Sequence, residues 1–406
     1  MSGPVTLKRS LSLPMLVLYG LGTTIGAGIY ALIGEIAGVA GYLAPLSFLL
    51  AALLASVTAL GFAELAARFP RAAGEALYVR EGVGSLALST VTGLLVVLAG
   101  LVSAAAMING FVGYLHQFVQ MDRALVIVVV SVTLGAAAAW GIAESVLIAS
   151  LLTLVEVGGL IWVMVVSSHA AADSASTWSD VVPRDFAAWQ GAFGAALLAF
   201  YAFIGFEDMV NVAEEVRDVR RNLPLAILLT LLITSVLYVL LMLAAVLALP
   251  PAELAGSQAP LAYLYQKVTG QPATVISAIG MFAIVNGALI QIVMAARVLY
   301  GLSVMAQLPA VLGRVSARTR TPLVATALVT GLVLALALTG RLASLAEMTS
   351  LTMLLVFALV NLALWRIKRR EPRPQGVRVL PLWIPVSGFL VSTGFVLAEA
   401  LQWVSP

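Results

Sequence analysis

Cysteine is absent from the 406-residue sequence, and histidine occurs only twice, at His116 and His169. Without cysteine the chain forms no disulfide bond and carries out no thiolate chemistry. The two histidines lack the spacing of a metal site, and the sequence contains neither a nucleophile–base constellation nor a phosphate-binding loop. We therefore expect no enzyme activity, no metal ion, no cofactor and no ATP-driven pumping by this chain.

Charged residues are also scarce, at 10% of the sequence against 62% hydrophobic residues, and the mean hydropathy is +1.06. Soluble domains carry about 25% charged residues, so a fold surrounded by water is excluded. Eleven apolar spans each have nearly or fully the length of about 17–25 residues that a membrane helix needs: 12–37, 42–66, 86–115, 124–140, 146–166, 190–215, 223–248, 273–306, 323–339, 345–365 and 380–403. We predict an all-α integral membrane protein with about 11 transmembrane helices, forming a single domain over residues 1–406.

Basic residues are distributed unevenly between the two sides of this topology. With a cytoplasmic N-terminus, 18 of the 22 Lys and Arg residues fall inside and four fall outside. The basic run Arg366–Arg370 directly follows an apolar span, so it fits a cytoplasmic anchor better than a nucleic-acid site. We expect the inner (plasma) membrane of a bacterium, a cytoplasmic N-terminus, an outer C-terminus, contact with lipid and no nucleic-acid partner.

Glycines interrupt two of the apolar spans at corresponding places, over Gly22–Gly28 and over Phe203–Glu207. A broken helix in hydrocarbon leaves backbone N–H and C=O groups unpaired, which is costly unless a ligand or another group satisfies them. Paired breaks of this kind indicate the substrate site of a transporter. Glycines also allow helices to pack closely, but the matched second break favours binding.

Three sequence blocks, in this order, resemble the amino acid permeases of the amino acid–polyamine–organocation superfamily: Gly20–Tyr30 with Phe62–Pro70; Phe200–Asp208 with Ala213–Val216 and Arg221–Pro224; and Ala296–Tyr300 with Gln307–Pro309 and Arg320–Pro322. The resemblance implies the LeuT-type fold, with a core of two inverted five-helix repeats. These repeats correspond to residues 12–166 and 190–365, and residues 380–403 form an extra helix. Many relatives have twelve helices, whereas this chain is expected to have eleven.

An amino acid needs one partner for its carboxylate and another for its ammonium group. The half-helix that begins near Gly28 offers free N–H groups and the positive end of its dipole, and glycines allow close approach. The resemblance places the carboxylate on the backbone of Gly26, Ala27 and Gly28, with Ile25 in the same break. It places the ammonium group on the carbonyls of Thr24, Tyr201, Ala202 and Ile204, and it makes the ring of Tyr201 a gate over the substrate.

Two acidic residues in the apolar spans are candidates for special roles. Glu207 opens the second half of the sixth span, and we interpret it as a structural cap that braces the break. Glu156 is the tenth of the twenty residues Leu147–Val166, so it lies near the bilayer centre and should face the protein interior. Its first interpretation is a proton carrier; a cation ligand and a permanently protonated hydrogen-bond donor remain open. Glu64, one turn from Arg68, is predicted to form an exposed ion pair.

The coupling ion and the substrate follow less directly from the sequence. The eighth span offers only Asn286 and Gln291 near its middle, which is a poor ligand set for sodium and favours the proton. The third span, Leu86–Leu115, contains no acidic residue, and Asn109 is its strongest polar side chain. We predict proton-coupled import of neutral amino acids. The alternatives are a transporter or exchanger of cationic amino acids or polyamines, and a sensor that does not transport.

Overall fold

The computed structural model of the protein describes residues 11–70, 74–140, 146–172, 179–319 and 321–404. Short 3₁₀ segments lie at Gly41–Leu43, Glu207–Glu215 and Ala310–Gly313. The α-helices are α1 (Leu13–Thr24), α2 (Ala27–Ala40), α3 (Ala44–Arg68), α4 (Gly74–Val83), α5 (Leu86–Leu115), α6 (Arg123–Trp140), α7 (Val146–Ala172), α8 (Phe186–Tyr201), α9 (Val219–Ala248), α10 (Pro251–Ala255), α11 (Pro260–Thr269), α12 (Thr274–Val304), α13 (Leu323–Thr339), α14 (Leu342–Arg370) and α15 (Trp383–Val404).

The predicted all-α architecture is confirmed, since each of the eleven apolar spans coincides with a helix or with a broken pair of helices. Eight helical stretches of the described chain are long and apolar enough to cross a membrane, and the short helices α1 and α13 are also apolar. Large apolar side chains cover the outside; Trp140 and Phe186 are each 77% exposed. A surface of this kind belongs in lipid, and the protein is an integral membrane protein. Its division into repeats at 12–166 and 190–365 stays a prediction.

The first break separates α1 from α2. The chain leaves α1 at Ile25 in an extended conformation, and Gly26 precedes α2 with a φ of −168°. The hydroxyl groups of Thr23 and Thr24 both donate to the Gly20 carbonyl, at 2.9 and 2.8 Å. The two threonine hydroxyls thereby find hydrogen-bond acceptors inside the protein, so the last turn of α1 can be buried away from solvent.

The second break separates α8 from the 3₁₀ segment Glu207–Glu215, and it crosses the first break directly. The Thr23 hydroxyl oxygen lies 3.0 Å from the Gly205 carbonyl oxygen, so its single proton is shared between the carbonyls of Gly20 and Gly205. Gly205 has a φ of +128°, and a Cβ there would collide with the backbone carbonyl of Thr23. Only glycine fits both this backbone conformation and this close crossing. The two irregular segments therefore form one junction at the centre of the molecule.

The segments that flank this junction are also joined at their far ends. Leu11 donates its N–H to the Glu215 carbonyl, and its own carbonyl accepts from Arg217, each at 3.0 Å. The start of α1 is thereby tied to the end of the 3₁₀ segment. That segment runs for nine residues, whereas 3₁₀ helices longer than three or four residues are uncommon.

The prediction of an exposed Glu64–Arg68 pair is wrong. The two side chains are 0% and 2% exposed, and Glu64 also accepts from Lys368 Nζ at 2.6 Å. Lys368 belongs to the basic run that the sequence placed at a solvated anchor, but it is only 5% exposed. The physical reason is the packing of α14 against α3, which brings a second cation to a carboxylate 304 positions away.

Candidate functional site

The backbone at the crossed breaks offers donors and acceptors for a zwitterion. The first N–H groups of α2, which begin next to Gly26, have no acceptor within the helix, and the dipole of α2 makes this end positive. The Thr24 carbonyl accepts from the Tyr238 hydroxyl at 3.2 Å, and the Tyr201 carbonyl accepts from the Ile204 N–H at 3.2 Å. A carbonyl oxygen has two lone pairs, so each of these oxygens can also accept from an ammonium group.

The glycines at the start of α2 have different surroundings. A Cβ on Gly28 would collide with the backbone of Ala202 at the end of α8. A Cβ on Gly26 would meet only the Met107 Cε atom, at 3.9 Å. Gly28 therefore allows α2 and α8 to pack closely, whereas the backbone of Gly26 faces open space. Substrate contact at Gly26, Ala27 and Gly28 stays a prediction, and the geometry favours Gly26.

Tyr201, the predicted gate, is buried at the end of α8 and reaches across to α5. Its hydroxyl oxygen lies 3.1 Å from the Ser103 hydroxyl oxygen and 3.3 Å from the Ser103 carbonyl. The ring thus connects the second break to the helix on the opposite side of the site. Ala202 and Ile204, the other predicted ammonium contacts of this break, follow it directly in the chain.

Glu156 lies on α7 beside the first break and is 2% exposed, in keeping with an interior position. Its backbone carbonyl accepts from the Tyr30 hydroxyl at 2.9 Å. Its carboxyl group interacts electrostatically with Tyr30 and Tyr238, and Tyr238 in turn donates to the Thr24 carbonyl. A titratable group is therefore linked to a predicted ammonium contact through one tyrosine. Its proton role stays a prediction.

Glu207 holds the second break from within. Its Oε2 atom accepts from the Gly205 N–H at 2.9 Å, so the carboxyl group satisfies a backbone donor that the break leaves free. This contact is what a bracing cap requires, although the assignment stays a prediction. The neighbouring Asp208 lies beside Gln291 of α12, with 3.5 Å between Nε2 and Oδ2.

Asn109, the strongest polar side chain of the third span, serves a structural role. Its amide nitrogen donates to the carbonyls of Ala105 and Ala337, at 3.0 and 3.1 Å. Its carbonyl oxygen accepts from Arg123 at 2.5 Å. The side chain is thus occupied in joining α5 to α6 and α13.

Sequence reasoning missed a group of polar residues around a small cavity next to the second break. The cavity measures about 10 Å³, and its polar lining comprises Glu75, Ser103, Glu207, Asp208, Gln291 and Thr349. Ile204 lines it too, which places it directly beside the break. Glu75 gave no signal because a short, mixed segment between two apolar spans resembles a solvated connection. The burial of Glu75 becomes visible only in the structure, where α4 packs inside the protein.

Comparison with known proteins identifies what this architecture is similar to. The family model described as amino acid permease matches residues 11–406. The chain is 29% identical over 400 residues to the vacuolar cationic amino acid transporter 4 of Arabidopsis thaliana, covering 92% of this chain and 65% of that one. It is 27% identical over 412 residues to the branched-chain amino acid permease BcaP of Bacillus subtilis, covering 94% and 86%. An uncharacterised transporter of Mycobacterium tuberculosis is 32% identical over 381 residues, covering 93% and 84%.

The solved structures support the fold. A crystal structure of a mutant of the manganese transporter from Eremococcus coleocola superposes with a TM-score of 0.68 at 15% sequence identity, covering 98% of this chain and 89% of that one. This likeness shows a shared LeuT-type fold. The chain spans somewhat less than two thirds of the length of the Arabidopsis relative.

Proposed function

We propose that this chain, which belongs to the amino acid permease family, is a secondary transporter that imports neutral amino acids together with protons by alternating access. The observation that carries this proposal is the crossing of two broken helices at Thr23 and Gly205. The junction places the N-terminus of α2 and the C-termini of α1 and α8 around one point. It is a protein of a transporter family, not an enzyme.

Binding of the amino acid uses backbone groups of opposite polarity. The carboxylate binds the free N–H groups at the start of α2, near Gly26, where the helix dipole stabilises negative charge. The ammonium group binds the carbonyls of Thr24, Tyr201, Ala202 and Ile204. The Tyr201 ring closes over the substrate from the end of α8. Because these contacts involve only the groups that every amino acid has, the side chain of the substrate is selected elsewhere.

Coupling to protons is assigned first to Glu156. It is buried beside the first break and interacts electrostatically with Tyr238, whose hydroxyl donates to the Thr24 carbonyl. A carboxyl group that alternates between protonated and ionised states as the site opens to each side would link proton entry to substrate entry. Sodium coupling has less support, because a hard cation needs several oxygen ligands and the middle of α12 offers only the side chains of Asn286 and Gln291.

The side chain of the substrate is neutral in this proposal because α5 contributes no acidic group to the site. The names of two relatives indicate different substrate classes: the Arabidopsis protein is named for cationic amino acids and the Bacillus protein for branched-chain ones. The buried carboxyl groups of Glu75, Glu207 and Asp208 are the specific observation that favours the alternative, a cationic amino acid or polyamine. A sensor that binds without transport is the remaining alternative.

The orientation follows from the basic residues. We place the N-terminus and the Glu64–Lys368 pair at the cytoplasmic side and the C-terminus outside, in a bacterial plasma membrane. The 18-to-4 distribution of Lys and Arg supports this orientation.

A binding screen followed by counterflow tests the function. Purified protein is heated with each of the common amino acids and with putrescine, and a ligand is recognised by a rise in melting temperature. Proteoliposomes preloaded with the best ligand should then accumulate the labelled form by exchange. A rise in melting temperature without counterflow would favour a sensor, and preference for arginine or putrescine would overturn the neutral substrate class.

A further inference from the structure

Three buried carboxyl groups from two separate elements face the cavity next to the second break. Glu75 comes from α4, and Glu207 and Asp208 come from the first turn of the 3₁₀ segment. They are 4%, 3% and 6% exposed, and all three line the cavity of about 10 Å³. Such a group of acidic side chains inside a membrane protein needs a compensating positive charge or protons.

The lining of the cavity supplies no such charge. Its other polar members, Ser103, Gln291 and Thr349, are uncharged. Glu207 accepts one backbone N–H, and Asp208 has the Gln291 amide at 3.5 Å. Glu75, the member from a different element, also lines the cavity, and among the described residues the hydrogen-bond donor to its carboxyl group is its own backbone N–H. A buried carboxyl group that lines a cavity and has only this one local donor retains free acceptor positions, which indicates room for a further ligand.

The surrounding elements contribute further titratable groups, but these do not neutralise the cluster. Tyr78 of α4 and Tyr19 of α1 interact electrostatically with Glu75 and Asp208 respectively. Tyr201 of α8 is bonded to Ser103 at the cavity wall. The positively charged Arg297 of α12 interacts electrostatically with Tyr19 but does not line the cavity. The carboxyl groups therefore interact with tyrosines of α1 and α4, while Tyr201 of α8 reaches the cavity wall through Ser103.

The size of the cavity limits what the missing ligand can be. About 10 Å³ corresponds to roughly one water-sized group, which is too small for the planar guanidino end of an arginine side chain. Carboxyl groups that share one buried site do not all ionise, because each negative charge raises the cost of the next. Burial raises the pKa of Glu75, which lies outside the membrane-spanning helices, from 4.5 to about 7. A proton neutralises a carboxylate without occupying any of this volume, so a proton is the ligand that fits the site best.

We propose that Glu75 and Asp208 form a proton-binding site beneath the second break, distinct from Glu156, which exchanges its proton with water when the cavity opens. The proton is held as a carboxyl O–H and leaves to water, so the site alternates between a neutral and an anionic state. Its use in coupling rests on the proposed transport function. Ile204 and Ser103 line the same cavity, so the charge of the site acts on a predicted ammonium contact and on the partner of the Tyr201 gate.

Infrared spectroscopy of the purified full-length protein tests the site without any substrate. The carbonyl stretch of protonated carboxyl groups is followed from about pH 5 to about pH 9, a range that covers strongly shifted carboxyl groups. The parent should show a band from buried carboxyl groups that disappears near neutral pH. Glu75→Gln and Asp208→Asn should each lose part of this amplitude, and the double variant should lose more than either. Glu253→Gln, at an exposed carboxyl group, should leave the titration unchanged.

An amplitude that is equal in the parent and in both single variants would overturn the proposal. So would a band that is absent in sodium chloride and present in choline chloride, because a small metal cation would then occupy the site. A parallel measurement tests the proposed transport function separately from the proton site. It follows uptake of labelled L-leucine and L-arginine into proteoliposomes with an inward proton gradient. Failure of the parent to take up either would count against the transport function, while the infrared titration would still decide the proton site.

Discussion

Lys368 and Glu64 form a buried ion pair, with 2.6 Å between Nζ and Oε2, that joins α14 to α3. Glu64 is fully used: its other oxygen accepts from Arg68 at 2.8 Å, and Oε2 also accepts from the Leu380 N–H at 3.0 Å. Lys368 donates in addition to the Leu380 carbonyl at 2.5 Å. One carboxylate therefore ties together α3, α14 and the segment that precedes α15.

Removing Lys368 should destabilise the protein strongly. Lys368→Met leaves the Glu64 carboxylate buried with one cation fewer, and removing one partner of a buried pair costs about 3–5 kcal/mol. The matched control is Lys267→Met, which removes a pair with Glu253 whose side chains are 50% and 42% exposed. Solvent screens a pair that is exposed to this degree, so Lys267→Met should shift the melting temperature far less than Lys368→Met. Melting temperatures in detergent compare the two variants, and equal shifts would contradict the importance of the buried network.

The two glycines at the start of α2 should respond differently to alanine. Gly28→Ala should lower the melting temperature, because its Cβ would collide with the Ala202 backbone. Gly26→Ala should leave the fold intact, since its Cβ points into open space near Met107, but it should weaken amino acid binding. The measurement is the melting temperature of each variant alone and with the best ligand. Undiminished ligand stabilisation of a monodisperse Gly26→Ala protein would exclude the carboxylate contact at this position.

Tyr201 should act mainly through its ring. Tyr201→Phe removes the hydroxyl bonded to Ser103 and keeps the aromatic face, so we expect uptake to fall only modestly. Tyr201→Ala removes the ring and should abolish closure and uptake. Ser103→Ala is the matched control, because it deletes the same hydrogen bond from the other side. If Tyr201→Phe and Ser103→Ala are as inactive as Tyr201→Ala, the hydrogen bond between α8 and α5 is the essential feature and the ring is not.

The stability of the protein should depend on pH through Glu75. Burial raises its pKa from the usual 4.5, which applies in the unfolded chain, to about 7 in the folded protein. Between these values the folded state binds a proton that the unfolded state has lost, so stability falls as pH rises from about 4.5 to about 7. Melting temperatures of the parent and Glu75→Gln across this range should show a smaller decrease in the variant. Parallel curves would contradict the shifted pKa, and Glu253→Gln serves as the control.

Much of the fold was predictable because the membrane imposes simple rules on sequence. The lengths of the apolar spans gave the helices, and the glycines gave both breaks, at Gly26 and Gly205. What stayed hidden depends on contacts between distant segments. Lys368 lies 304 positions from Glu64, and no local pattern indicates that pairing.

The details of the site were hidden for the same reason. Gly26 and Gly28 look equivalent in the sequence, and only the position of the Ala202 backbone separates them. Glu75 resembles a solvated residue until α4 packs into the protein, where Phe62 of α3 contacts Tyr78, with 6.1 Å between ring centroids. Sequence patterns therefore predict which segments break, while tertiary packing decides which side chains surround the break.

Glu156 provides the test of coupling at the first break. Glu156→Gln resembles the protonated carboxyl group in shape and charge, so we expect substrate binding and exchange to persist. An amide cannot give up the proton, however, so acceleration of uptake by an inward proton gradient should be lost if Glu156 is the carrier. The measurement is uptake into proteoliposomes at fixed membrane potential, with and without the gradient and without sodium.

The matched control separates this role from the site at Glu75. Thr153, one turn before Glu156 on α7, lies next to Gly22 of α1, so Thr153→Val changes the packing of α7 against α1 without removing a titratable group. It should keep its response to the gradient. If Glu156→Gln remains as gradient-driven as the parent while Glu75→Gln loses the response, the coupling proton resides at the second break instead. Uptake by the parent that requires sodium would assign Glu156 to a cation site, since a carboxylate is one of the oxygen ligands that such an ion needs.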